Sequence, residues 1–155
     1  FAFNSLAFIV KKGNPANITG RDLSLCGKNI AVTLGGIEES QARADNQRCV
    51  EAKKPAINVM TFPAATDSAV AVAQGRADAE FLSTPGTVAL LTEKTGMFEA
   101  VGASFEANTH IAFAVRKGDT ATQALLEQGL QSLVKNGTYT QLIKKWNFPD
   151  SVALF

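Results

Sequence analysis

Residues able to do chemistry are sparse in this chain: two cysteines, one histidine and 14 carboxylates, none gathered into a catalytic pattern. Cys26 and Cys49 have no CxxC neighbour, and the single distant His110 makes a poor zinc site with them. Taken by themselves they leave two readings, a disulfide or two buried thiols, with the disulfide favoured. Closing a loop of about two dozen residues would stabilise the fold by roughly 3 kcal/mol, and it would place the protein in an oxidising compartment. Ser83 and Ser104 lie outside any Gly-x-Ser-x-Gly setting, so a hydrolase triad has no support. Gly35-Gly36 is a dipeptide rather than a Walker or Rossmann pattern. Asp78 reads as a residue that holds a turn, and His110 as a structural histidine. Glu80 is an oddity, a carboxylate in an otherwise apolar run. No catalytic residue, metal ligand or cofactor is expected.

The elements that would position these residues alternate. Residues 28–34 form an apolar strand closed by Gly35-Gly36, and residues 37–50 have high helix propensity and a polar face, which predicts an exposed helix. Residues 56–62 are the next strand. Thr66 is placed to cap a helix that Gly75 ends. Residues 77–82 form a short strand, and Pro85 suits the first turn of a helix reaching about Lys94. Residues 100–102 read as a weak strand and 107–115 as a further one. Strands and helices alternating at this spacing predict an α/β lobe with a mostly parallel sheet.

The tail reads as helical. Leu126, Leu130, Leu133 and Val134 share one face, and Asn136-Gly137 stops the run. Thr138 and Gln141 form a capping-box pattern for a last helix that carries Trp146, expected in the core. A net charge of +1 with scattered cation pairs argues against nucleic acid. No apolar stretch approaches the roughly 20 residues that span a bilayer. The chain begins inside an apolar segment and reads as cut.

Leu6-Ala7-Phe8-Ile9-Val10-Lys11-Lys12-Gly13-Asn14 is echoed by Ile111-Ala112-Phe113-Ala114-Val115-Arg116-Lys117-Gly118-Asp119. Each is an apolar run ending in two cations and a Gly-Asx turn. The repetition predicts two crossover strands flanking an inserted domain, as in hinged two-lobe proteins. The divisions expected are residues 1–14, a hinge strand; 15–109, the ligand-binding lobe; and 110–155, the returning strand with the C-terminal helices.

With these pieces in order, the chain resembles the solute-binding proteins of polar-amino-acid ABC transporters, the family 3 extracellular solute-binding proteins. The resemblance runs from about Leu6 to Trp146. It rests on Val10-Lys11-Lys12-Gly13-Asn14-Pro15, Leu25-Cys26-Gly27-Lys28-Asn29-Ile30-Ala31-Val32 and Gly75-Arg76-Ala77-Asp78-Ala79. The remaining pieces are Ile111 to Gly118, Asn136-Gly137-Thr138-Tyr139 and Lys144-Lys145-Trp146. It implies the periplasmic-binding-protein-like (type II) fold: one α/β lobe, two hinge strands, and C-terminal helices returning to an incomplete first lobe, with a solute bound between the lobes. It also implies a Cys26–Cys49 disulfide, as in a subset of the family.

The family's anchors fall on Thr33, Gly35, Gly36, Ile37 and Glu38 at a strand-to-helix turn, and on Ser83 after the Gly75–Ala79 motif. Such a turn offers free backbone N–H groups and a helix dipole to a solute carboxylate. This chain departs from the pattern twice. Gly36 and Ile37 replace hydroxyl side chains and Glu38 replaces a glutamine, which adds negative charge. Ser83 replaces the aspartate that pairs with a solute ammonium. Strand alternation puts Glu80 on the face opposite Ser83, so it does not make good that charge.

The expected function is the periplasmic or extracellular receptor of an ABC importer, a membrane-anchored lipoprotein included, which binds a small polar, amino-acid-like solute and meets a membrane permease. The alternatives are a ligand-sensing domain of a receptor or regulator, and a dehydratase-like enzyme with Glu38 or Glu80 as general acid. The apolar faces of Leu126, Leu130, Leu133 and Trp146 predict either self-association or pairing with a missing N-terminal segment.

Overall fold

The computed structural model describes residues 2–155, apart from the side chains of residues 106–109 and 151. Phe1, the first residue of the expected hinge strand, lies outside the described residues. Two compact units are present. One is Leu6–Phe105; the other joins the segment ending at Ser5 to Glu106–Phe155.

Five strands form one sheet: β1 (Ala2–Lys11), β2 (Asn29–Thr33), β3 (Asn58–Phe62), β4 (Ala79–Ser83) and β5 (Phe98–Ile111), in the order β3-β2-β4-β1-β5. β2 runs parallel to both β3 and β4, whereas β1 is antiparallel to β4 with Leu6 opposite Ser83. The parallel steps are made through α1 (Ile37–Glu51) and α2 (Ala65–Ala73), and α3 (Thr84–Glu93) follows β4. β1 and β5 each have residues in both units.

Strand alternation divides the core of the larger unit into two layers. Phe8, Ile30, Val32 and Phe81 pack on one face with Ile18, Leu25, Ala42 and Cys49. Ile9, Ala31 and Leu82 pack on the other with Ala69, Val72 and Phe98. Phe8, Phe81 and Phe105 form an aromatic cluster, Phe8 stacking on Phe105 at 4.8 Å and meeting Phe81 edge-on at 4.7 Å. Cys26 and Cys49 are joined in a disulfide with their Cα atoms 5.6 Å apart, fastening the connector before β2 to the last turn of α1.

Several local expectations need correction. The helix at 37–51 is not wholly exposed: Ala42, Asp45 and Cys49 are buried. Asp45 tolerates this because Arg21 and Arg48 both pair with it, and Arg21 lies over the Phe105 ring at 4.8 Å. Thr66 sits inside the first turn of α2, whose N-cap is Ala64, with no side-chain cap. The weak strand at 100–102 and the first part of the strand expected at 107–115 are one strand, β5, which ends at Ile111. The second echo is therefore a strand only at its first residue, and Ala112 to Arg116 lie beyond it.

In the smaller unit, α4 (Thr120–Lys135) is capped by Asp119, whose carboxylate accepts the Thr122 N–H at 3.0 Å. α5 (Thr138–Lys145) begins after Gly137, at φ +79, and no capping box forms at Thr138. Instead the Asn136 side chain accepts the Thr138 N–H at 3.0 Å. Tyr139 is buried edge-on against Phe155, and its hydroxyl accepts the Leu154 N–H at 3.0 Å. Ala2 bridges Ala153. Trp146, expected in the core, is 60% exposed, because it caps the C-terminal end of α5 beyond the turn that buries Tyr139. Among the described residues, no helix is long and apolar enough to cross a membrane.

Candidate functional site

The parallel strands β2, β3 and β4 all end at the same edge of the sheet, and each leads into a helix there. Ile37, Ala65 and Thr84 open those helices within a few residues of the strand ends. The positive dipole ends of these helices collect at the edge where open α/β sheets receive ligands.

At the end of β2, Thr33 is half-buried and Leu34 is fastened by donating its N–H to the Phe62 carbonyl at 2.8 Å. The chain then needs a left-handed residue, and Gly35 supplies it at φ +74. Gly36 takes the N-cap of α1 with extended backbone and brings no side-chain cap. Ile37, the first helical residue, is 38% exposed.

The chain's own carboxylates close on this turn. The Gly35 N–H donates to Glu39 Oε2 at 2.8 Å, and Arg43 holds the other oxygen of Glu39 through Nε at 2.9 Å and Nη2 at 2.6 Å. The Gly35 N–H, followed by Arg43, holds the Glu39 carboxyl below the usual range. Glu38 Oε2 occupies the space where a Cβ on residue 36 would sit. The Gly36 N–H donates back to the Thr33 carbonyl at 3.2 Å. Donors that would greet a solute carboxylate are thus met from within.

Ser83 stands at the end of β4 and takes the N-cap of α3, with Pro85 in the first turn. Its hydroxyl makes no capping bond, and the residue is half-buried. β2 and β4 are in parallel register, Ala31 opposite Glu80, so Thr33 and Ser83 arrive at one edge. The structure therefore gathers Thr33, Gly35, Gly36, Ile37, Glu38 and Ser83 at the strand ends of the larger unit.

Glu80 belongs elsewhere. Its Cα neighbours are Ile9 and Ala31, and it lines a groove with Leu82 on the α2 and α3 side. It is fully buried, neither oxygen has a hydrogen-bond partner among the described residues, and burial pushes its carboxyl up to about 8. Asp78 does hold the start of the parallel pair: its carboxylate accepts the Asn29 N–H at 2.8 Å. His110 rests against the Phe3 ring at 4.8 Å. No group of three metal-ligating side chains occurs among the described residues.

Sequence reasoning missed two features. Glu39 closes the turn at Gly35, and the signal was a glutamate four residues on, followed by Arg43 at helical spacing. In the Arg21–Asp45–Arg48 cluster only the Asp45–Arg48 spacing was a local signal, since Arg21 reaches Asp45 from the connector 24 residues earlier.

An open sheet whose adjoining strands β3, β2 and β4 run parallel and present three helix N-termini at one edge defines an α/β ligand-binding lobe of the periplasmic-binding-protein-like class. The chain belongs to the bacterial extracellular solute-binding proteins, family 3, which match residues 2–150. An ancestral arginine-binding protein, solved bound to arginine, is 25% identical with a TM-score of 0.73, covering 94% of this chain and 61% of its own. The ancestral amino acid-binding protein AncCDT-1, described as a precursor of cyclohexadienyl dehydratase, is 25% identical with a TM-score of 0.73, covering 92% of this chain and 58% of its own. AbpA of Streptococcus pneumoniae, an amino acid ABC transporter substrate-binding protein bound to L-arginine, shares the fold with a TM-score of 0.75 at 20% identity, covering 97% of this chain and 60% of its own. The chain spans about 60% of the length of these structures.

Proposed function

We propose that the protein serves as the extracytoplasmic solute-binding component of an ABC importer, and that it holds a small polar, amino-acid-like solute. In this reading it works in the periplasm or at the cell surface and hands its solute to a membrane permease. The observation that carries it is the convergence of the ends of β2, β3 and β4, with their helix N-termini, at one edge bearing Thr33, Gly35, Gly36, Ile37, Glu38 and Ser83.

The polarity of that edge narrows the solute. Glu39 already fills the Gly35 donor and Glu38 lies over Gly36, so a second carboxylate would meet like charge. A cationic or neutral donor group suits this end of the site better, and arginine, bound by two of the similar proteins, carries such a group. Ser83 accepts a hydrogen bond but offers no counter-charge to an ammonium.

Isothermal titration with L-arginine, L-glutamine and L-glutamate tests this reading. It expects saturable binding of at least one of them, arginine ahead of glutamate, and recovery of unchanged solute. No binding of any of the three, or chemical conversion of the solute, overturns it. The likeness to a dehydratase precursor motivates the second outcome. It ranks lower because Glu80, the candidate acid that burial keeps protonated, lies on the strand face opposite Ser83 and lines the α2–α3 groove instead.

The apolar groove between α4 and the segment after β5, lined by Phe113, Val115, Leu126 and Leu130, supports a tendency to self-associate. Light scattering that reports a monomer at every concentration would remove that part of the proposal.

A further inference from the structure

Glu80 is a charge-capable group with no role at the strand-end site and no hydrogen-bond partner among the described residues. It lies mid-strand in β4, the central strand, where Ala79, Glu80, Phe81 and Leu82 are all buried. Its two oxygens accept nothing from the described residues. It lines a groove of about 230 Å³ between α2 and α3, walled by Leu82, Ala69, Ala89 and Leu90.

The charge balance of the groove is one-sided. β1 and β2 present Ile9 and Ala31 to Glu80, and α2 presents alanines and Thr66. α3 brings the exposed Glu93. No lysine or arginine is among the lining residues; Lys94 lines the adjoining groove instead. An apolar slot with a carboxylate on its floor and a second at its side is complementary to a short alkyl chain that ends in an ammonium.

We propose that this groove is a second binding site, separate from the strand-end edge, which takes a small primary alkylammonium with Glu80 as its counter-ion. Entry of the amine replaces a proton on the carboxyl: the neutral acid and the ammonium become a carboxylate–ammonium pair, and one proton leaves to solvent. Desolvation holds the Glu80 carboxyl up at about 8, so the free protein carries that proton at neutral pH. Binding therefore weakens about tenfold for each pH unit below this value.

The probe is n-butylammonium, titrated calorimetrically into the protein at neutral pH in two buffers of different ionisation heat. The expected result is saturable binding with the release of about one proton per amine, no binding of n-butanol or butyrate, and loss of amine binding in Glu80→Gln. Ala89→Phe changes an exposed wall residue and keeps the carboxylate, and it should also block the groove. Neither variant should alter the response to L-arginine at the strand-end edge, so failure here is distinguishable from failure of the proposed function. Absence of butylammonium binding, binding without proton release, or equal binding to Glu80→Gln would overturn the proposal.

Discussion

The Gly35 N–H donates to Glu39 Oε2 at 2.8 Å, so the first helix of the sheet's ligand edge is closed by its own side chain. Arg43 holds the far oxygen of the same carboxylate, which leaves Glu39 in place and ionised. A helix N-terminus otherwise suited to an anion is thereby turned toward neutral or cationic groups.

Glu39→Gln removes that charge and keeps an acceptor for Gly35. L-glutamate affinity should rise about three- to tenfold while L-arginine affinity falls or stays level. Competition titrations of the two solutes give the ratio, and an unchanged ratio would show that Glu39 does not set polarity at this edge.

Ser83→Asp restores an anion at the end of β4. An α-amine solute gains a charge-assisted contact, and binding should tighten by about tenfold or more. The effect should disappear with a desamino analogue of the same solute. Equal gains for both analogues would place Ser83 away from the solute ammonium.

Glu80 sets a pH dependence of stability. In the folded protein its carboxyl keeps a proton up to about 8, whereas the unfolded chain releases it near the ordinary value of 4.5. The unfolded state is thus progressively favoured as pH rises between those values, and the loss is complete above the upper one. Glu80→Gln lacks this penalty. Urea unfolding should find the variant level with the parent near about pH 4 and more stable by a few kcal/mol near about pH 9. Parallel curves for parent and variant across that range would contradict the burial of an unpartnered carboxyl.

The Cys26–Cys49 bond encloses a loop with a sequence separation of 23 residues. Replacing both cysteines by serine should lower stability by roughly 3 kcal/mol, or somewhat more because Cys49 lies in the core. Chemical denaturation of the paired variant measures it, and a loss below about 1 kcal/mol would mean that packing around Leu25 and Ala42 already fixes the loop.

The strands β2, β3 and β4 were legible because each is an apolar run punctuated by Gly or Pro, and the alternation of Phe81 with Leu82 follows from strand geometry alone. The two cysteines and the turn at Gly35-Gly36 were readable for the same local reasons. Asp45 was not, because its burial depends on Arg21, which reaches it from a different segment. The cap of α2 was misread at Thr66, since a good capping residue one turn too late loses to the position where β3 ends. Trp146 was misread because residue type says nothing about which neighbours lie over the end of α5. At the candidate site the positions came from the family resemblance, and Glu38 was conspicuous as an added charge, but only the folded turn shows Glu39 bonded to Gly35.

Backbone amide shifts, followed by NMR while L-arginine is titrated into the protein, test the central claim most directly. The account predicts saturable shifts at Gly35, Gly36, Ile37 and Ser83, with the Gly35 amide moving most as its bond to Glu39 is perturbed. Shifts confined to residues away from the ends of β2 and β4, or no saturable shift at any of these amides, would contradict it.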